Sequence, residues 1–460
     1  MVFSSQIFLF LFFPITLMLY YFCRLKLRNI VLLFASLFFY AWGEPKYISL
    51  ILLLIFANYV LGIAIERSRL ISWKRFFLVL TLIIDFGSLI YYKYFNFLIE
   101  NANALFHLSI TAKEILLPLG ISFFIFQIVS YVIDVYWGNV KAQRNILHLA
   151  LYISLFPQLI AGPIVRYIDV EDQIQSREHS LDKFYDGCKL FMTGFSKKVL
   201  IADQVASIAD LAFASSNLTF SLAWVGIIAY SLQIYFDFSG YSDMARGIGK
   251  MFGFDFMVNF NYPYIAKSIR EFWKRWHISL STWFRDYVYI PLGGSRCKKS
   301  RVIFNTSVVW LFTGFWHGAS WNFIVWGLWY LVFLLLEREF LGKKLDKLPA
   351  VVGHIYALLI ITIGWVFFRA VDLTHAIQYL SVMFSFDFTH SMELGLALTK
   401  EKIFFISVGI IFSTPICGWI KEQILKNNET ISSLVLLCTF AVAVLYMVGS
   451  GFSPFLYFRF

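Results

Sequence analysis

Apolar stretches recur along this chain at lengths that suit a lipid bilayer. They fall near residues 6–22, 30–42, 47–65, 76–92, 115–137, 145–163, 222–237, 302–336, 351–369, 403–420 and 431–450. A helix needs about 20 apolar residues to cross the hydrocarbon layer. No water in that layer satisfies a bare N–H or C=O, so each stretch must bond its backbone internally and form a helix. The alternating polarity in segments of about 10 residues that marks a membrane β-barrel is absent. Composition agrees: 59% of residues are hydrophobic and 15% charged. A soluble domain has about 45–50% and about 25%, and a soluble fold cannot bury the excess. The expected fold is all-α, a polytopic integral membrane protein with about eleven transmembrane helices plus re-entrant or interfacial helices. Some stretches are short, and 302–336 is too long for one span. The first, Phe8 to Phe22, lacks the basic start and small-residue cleavage site of a signal peptide, so it is expected to stay in the membrane.

The formal net charge is +11, but the basic residues fall in short loops. They cluster at Arg24, Lys26 and Arg28; at Arg67, Arg69, Lys74 and Arg75; at Arg296, Lys298, Lys299 and Arg301; and at Lys343, Lys344 and Lys347. Such loops stay cytoplasmic, which places the N-terminus outside. With no recognisable nucleic-acid module, the charge reads as topology. The five cysteines, Cys23, Cys188, Cys297, Cys417 and Cys438, show no paired spacing, so neither a disulfide framework nor a metal site is expected.

The chain reads as one membrane domain, residues 1–460, whose middle region from about 116 to 330 mixes apolar residues with Gly, Pro, Asp, His and Arg and holds nearly every candidate for chemistry. Ionisable groups at membrane depth are costly and by default mark function. The segment Val302 to Leu336 must break, and Gly314 and Gly318 in TGFWHGASW flank the expected break. A helix from Val302 to Trp316 extends about 22 Å, less than the roughly 30 Å core. His317 is therefore expected at membrane depth, on irregular backbone that faces protein or a water-filled cavity. Burial favours a neutral imidazole, and a neutral imidazole is a usable general base. The plainer reading is a histidine bonded to a neighbouring helix, and the residues alone leave both open.

Ile269, Phe272, Trp273, Trp276, Leu280, Trp283, Phe284 and Tyr287 follow helical spacing among charged neighbours. This predicts an amphipathic helix in the interface or lining a cavity, with His277 on the boundary between its apolar and polar faces. His277 is then either an interfacial hydrogen-bonding residue or a second site histidine that orients an acceptor or stabilises an oxyanion. Asp237 and Asp243 stand beside an apolar stretch. They are expected to line a cavity, to pair with Arg246 or Arg285, or to cap a restarting helix.

Several runs together resemble the membrane-bound O-acyltransferase superfamily. They are YFDFSGYSDMARG (235–247), EFWKRWHISLSTWFRDYVYIPLGG (271–294) and GFWHGASWNFIVWG (314–327). The start MVFSSQIFLFLFFPI, LPLGISFFIFQIVSYVIDVYWG (117–138), LFPQLIAGPIVR (155–166) and FSPFLYFRF (452–460) look like its bacterial branch that contains the alginate O-acetyltransferase membrane subunit. The resemblance implies spanning helices around a tunnel with a central histidine. It maps the family's invariant histidine onto His317 and the branch's second histidine, often Asn in other branches, onto His277.

The reaction implied is acyl transfer from a cytoplasmic thioester, acetyl-CoA, to a hydroxyl. His317 is expected to take the hydroxyl proton while His277 polarises the carbonyl or positions the hydroxyl. The basic cluster Arg296 to Arg301 would steer an anionic donor. By resemblance, Tyr457 near the C-terminus is a candidate acyl relay that needs a base to deprotonate its phenol; otherwise it belongs to an interfacial aromatic belt. No bound cofactor or metal is expected. The implied setting is a bacterial cytoplasmic membrane, with an extracytoplasmic SGNH-type acetyltransferase as partner and a polysaccharide as acceptor. Two other readings are D-alanyl transfer of the teichoic acid type and, from another class, a channel or transporter with intramembrane histidines.

Overall fold

The computed structural model describes residues 1–389, 391–423, 428–450 and 455–456. Every regular element among them is helical. By contact the chain divides into two compact units: Met1–Phe191 with Met244–Met257, and Met192–Asp243 with Val258–Phe460.

The first unit contains α1 (Phe8–Phe22), α2 (Leu25–Gly43), α3 (Pro45–Arg67), α4 (Ile71–Phe106) and α5 (Ile121–Trp137). Buried phenylalanines join α1 and α2 to the chain after α5: Phe12 meets Phe156 edge-on at 5.4 Å and Phe39 at 5.6 Å. Such ring pairs add about 0.5–1.5 kcal/mol beyond area burial. Helix α5 is buried from Ile121 to Val132 on every face, as expected of a helix apolar all round. Asn58 of α3 donates from Nδ2 to Asp85 Oδ1 of α4 at 2.8 Å, both side chains fully buried. Such a bond between membrane helices contributes about 0.6 kcal/mol on average.

The second unit is built on most of α6 (Phe220–Met251), the short helices α7 (Ile269–Arg275) and α8 (Ile278–Phe284), and α9 (Lys299–His317), α10 (Trp321–Leu336), α11 (Ala350–Arg369) and α12 (Glu429–Gly449). Its core is aromatic. Trp276 stacks on Phe272 at 5.5 Å and tilts against Trp365 at 4.9 Å. Trp273 meets Trp310 edge-on at 4.8 Å.

Six helices among the described residues are long and apolar enough to cross a bilayer: α2, α3, α4, α6, α11 and α12. The other five apolar stretches form shorter or broken helices. The stretch near 145–163 divides into Ile146–Ser154 and Phe156–Leu159, and that near 403–420 into Lys400–Phe412 and Ile416–Gln423. Pro157 and Pro415 stand at the two divisions, where proline cannot donate to the preceding turn.

The long apolar segment breaks as required, but only at Gly318–Ser320; Gly314 lies inside α9. Two different space demands explain the two glycines. A Cβ on Gly314 would meet the Phe323 carbonyl oxygen at 2.4 Å, and one on Gly327 the Trp310 carbonyl oxygen at 2.6 Å. Small residues here let the α9 and α10 backbones touch. A Cβ on Gly318 would run into the Phe323 ring at 2.1 Å.

The segment 269–287 departs from the expected single amphipathic helix. It breaks at Trp276–His277 into α7 and α8, with His277 left-handed at φ +44°. A neighbouring extended segment takes the freed backbone groups. Asn261 N–H donates to Arg275 O at 2.9 Å and Ile278 N–H to Asn259 O at 3.0 Å. His277 is accordingly not on a polar boundary; it is 1% exposed.

Asp237 and Asp243 lie within unbroken α6, so neither is a helix cap. Asp237 pairs with Lys198 at 2.7 Å, and Lys198 also holds Asp203 at 2.6 Å. Lys197 pairs with Asp243 at 2.6 Å.

Candidate functional site

His277 and His317 line one cavity of about 240 Å³ in the second unit. The α7–α8 turn delivers His277, with Trp273 and Trp276 before it. Helix α9 ends at His317, with Thr313 and Trp310 one and two turns earlier. The lining runs from exposed Arg270, Lys274 and Ser281 to the buried imidazoles. Beside it a second cleft, about 580 Å³, shares Arg270 and Lys274 and adds Lys267, Arg338 and Lys343.

His317 is 4% exposed. Its ring is walled by Trp316 and Trp326, each at 4.8 Å, and by Phe368 at 5.2 Å. His277 is walled by Phe238 at 4.6 Å and by Trp316 at 6.0 Å, so the Trp316 indole touches both imidazoles. His277 sits in a turn outside the spanning helices. Burial, with no opposite charge beside it, pushes its imidazole down to about 3, so the ring is neutral. Its Nδ1 lies 3.2 Å from Oδ1 of Asn259, a fully buried side chain. Its Nε2 makes no hydrogen bond among the described residues.

The sequence pointed to both histidines but not to Asn259. Asn259 lies outside any periodic pattern and contacts His277 only through the fold. Arg270 and Lys274 read as charged neighbours of an aromatic stripe in the interface or lining a cavity, and they stand at the cavity mouth. The basic cluster before α9 is partly engaged elsewhere: Lys299 pairs with Glu339 at 2.5 Å, and Arg301 donates to Leu292 O at 3.1 Å. Tyr457 lies outside the described residues. Of the residues before it, Phe455 packs on Tyr241 at 4.7 Å and on Phe238 at 6.0 Å, and Leu456 N–H donates to Asp237 Oδ2 at 2.8 Å.

Six helices of membrane-spanning length among the described residues define a multi-pass membrane protein, and the two imidazoles that line one cavity of its second unit have the means for acid–base chemistry. Comparison with known families gives that chemistry a class. The profile of the membrane-bound O-acyltransferase family matches residues 139–368, and the chain belongs to that family. It is therefore an O-acyltransferase. A protein of Azotobacter vinelandii named "Probable alginate O-acetylase AlgI" is 41% identical over 503 aligned positions, covering 100% of both chains. The Pseudomonas aeruginosa protein of the same name is 45% identical over 403, covering 86% of this chain and 77% of its own. The peptidoglycan O-acetyltransferase of Helicobacter pylori is 33% identical over 517, covering 100% of this chain and 98% of its own.

Proposed function

We propose that this chain moves acetyl groups from a cytoplasmic thioester, acetyl-CoA, for O-acetylation of an extracytoplasmic polysaccharide. Alginate, another exopolysaccharide or peptidoglycan is the acceptor class that the names of its relatives support. The setting is a bacterial cytoplasmic membrane, and an extracytoplasmic SGNH-type transferase completes the delivery. One observation carries the reading: two imidazoles, His277 and His317, line a single cavity whose mouth is basic.

A hydroxyl is a poor nucleophile until its proton is removed, and a thioester is already activated. One imidazole removing the proton and the other steadying the hydroxyl or the thioester oxygen suffices. The oxygen bonds to the carbonyl carbon, the carbon–sulfur bond breaks, and the proton ends on the departing sulfur. The products are an ester and a thiol. Arg270 and Lys274, with Lys267, Arg338 and Lys343 in the adjoining cleft, suit the phosphates of the donor.

The test is His317→Ala in membranes of expressing cells, with acetyl transfer from radiolabelled acetyl-CoA measured. Transfer should fall by about 100-fold or more, while insertion and abundance are unchanged. Full transfer by the variant would remove His317 from the chemistry and with it this account of the site.

A further inference from the structure

The Asn259 amide reports which nitrogen of His277 carries the proton. Asn259 Oδ1 accepts the Ser279 main-chain N–H at 3.1 Å and the Ser279 hydroxyl at 2.9 Å, and it lies 3.2 Å from His277 Nδ1. A main-chain N–H can only donate, so it determines which end of the amide is oxygen. That oxygen can only accept, so Nδ1 of His277 must be the N–H. Ser279 Oγ is 3.4 Å from Nδ1 against 2.9 Å from the amide oxygen, so the hydroxyl proton goes to the amide. A neutral imidazole has one N–H, which leaves Nε2 as a bare lone pair. The rings facing His277 are Phe238, Phe260 and Trp316. The titratable groups sharing its cavity wall are Arg270, Lys274 and His317.

We propose that Asn259 is a positioning residue of the acyl-transfer site, locking His277 in the Nδ1–H tautomer so that Nε2 accepts the hydrogen bond of the acceptor hydroxyl. The inference rests on the acyl-transfer reading above and settles one choice left open there. With a bare Nε2, His277 has no proton to offer the thioester oxygen, so of its two expected roles only holding the hydroxyl remains. The hydroxyl points its single proton at Nε2 and keeps a lone pair for the carbonyl carbon. As the carbon–oxygen bond forms and the carbon–sulfur bond breaks, the proton passes to Nε2 and then to the departing sulfur. His277 thereby takes the proton that the sequence reading gave to His317. A tautomer held by a buried acceptor behind the ring is a recurring device, and its loss is costly even when geometry survives.

Two measurements on the full chain in lipid nanodiscs test this. In nitrogen NMR of the histidine-labelled protein, with the His277→Asn spectrum subtracted, Nδ1 of His277 should appear protonated and Nε2 bare. In acetyl transfer from acetyl-CoA, Asn259→Ala should lower kcat by about 100-fold with little change in KM for the donor. Asn259→Asp keeps the accepting oxygen and should recover to within about 10-fold of the native chain. A protonated Nε2 in the native protein, or an Asp variant as inactive as the Ala variant, overturns the proposal. Should Asn259→Ala fail to insert, the native spectrum and the Asp variant still decide. Full transfer by His317→Ala would instead defeat the acyl-transfer reading and leave the tautomer result standing.

Discussion

His277 occupies a backbone position that few side chains tolerate. At φ +44° and ψ +56° its Cβ crowds the following carbonyl, at a cost of roughly 1–2 kcal/mol. Asn, Asp and His are the non-glycine residues most often found there. The hydrogen bonds that 259–261 makes to 275–278 hold the turn against that cost. Burial adds a pH dependence of known sign. The folded imidazole protonates near 3, while an unfolded one protonates near about 6.5. Between those values the unfolded chain binds more protons, so stability is full above about 6.5 and is lost as pH falls toward 3. His277→Asn keeps the backbone conformation and removes the titrating group. Its thermal midpoint in detergent should therefore drop less than that of the native chain between about pH 7 and about pH 5. Equal drops would show that His277 is not buried neutral. At this same scale the sequence was half legible. His317 and His277 stood out as ionisable residues in apolar runs. Asn259 did not, because its partners Ser279 and His277 lie 20 and 18 residues away.

The α9–α10 hairpin shows how an element places a site. Its helices approach until Gly314 and Gly327 bring backbone against backbone, and this close contact sets where His317 ends α9. A methyl at Gly314 would lie 2.4 Å from the Phe323 carbonyl oxygen, a main-chain atom that cannot swing away. Gly314→Ala should destabilise the protein by about 1–3 kcal/mol through overpacking, read as a lowered thermal midpoint in detergent. Gly87→Ala is the control. Nothing lies within 4 Å of a Cβ there, and a helical Gly→Ala change is favourable by up to about 1 kcal/mol. A Gly314→Ala variant as stable as the control would mean that the two helix backbones do not touch at Gly314. The break itself was legible from length alone; its position was not. TGFWHGASW offered two glycines, and only the Phe323 ring, on the returning helix, decides that Gly318 follows the last helical residue.

At the scale of the molecule, a buried ion network ties distant parts of the second unit together. Lys198 holds Asp203 and Asp237, and Asp237 also takes the Leu456 N–H. Removing one member of such a network strands a buried charge, at about 3–5 kcal/mol. Asp237 therefore serves the fold by docking residue 456 near the C-terminus, where Phe455 lies against Phe238 and Phe238 against His277. Tyr457 follows Leu456 directly in sequence, and we propose that it receives the acetyl group as a phenyl ester and passes it outward. Tyr457→Phe keeps the ring and loses the hydroxyl. Acetyl-ester content of the secreted polysaccharide should fall by about 100-fold at unchanged expression, and full acetylation by the variant would end the relay idea.

Hydropathy and length by themselves determined that this chain is helical and membrane-embedded and that residues 302–336 cannot be one helix. Those conclusions need only the energetics of a backbone in lipid, which every residue in a stretch reports alike. Tertiary structure alone decided that α7 and α8 part at His277, that Lys198 answers Asp237, and that the amide of Asn259 stands beside the imidazole of His277. Each of these depends on a hydrogen bond or a contact between segments far apart in the chain. The free energy of such a contact exists only once the fold has brought the segments together.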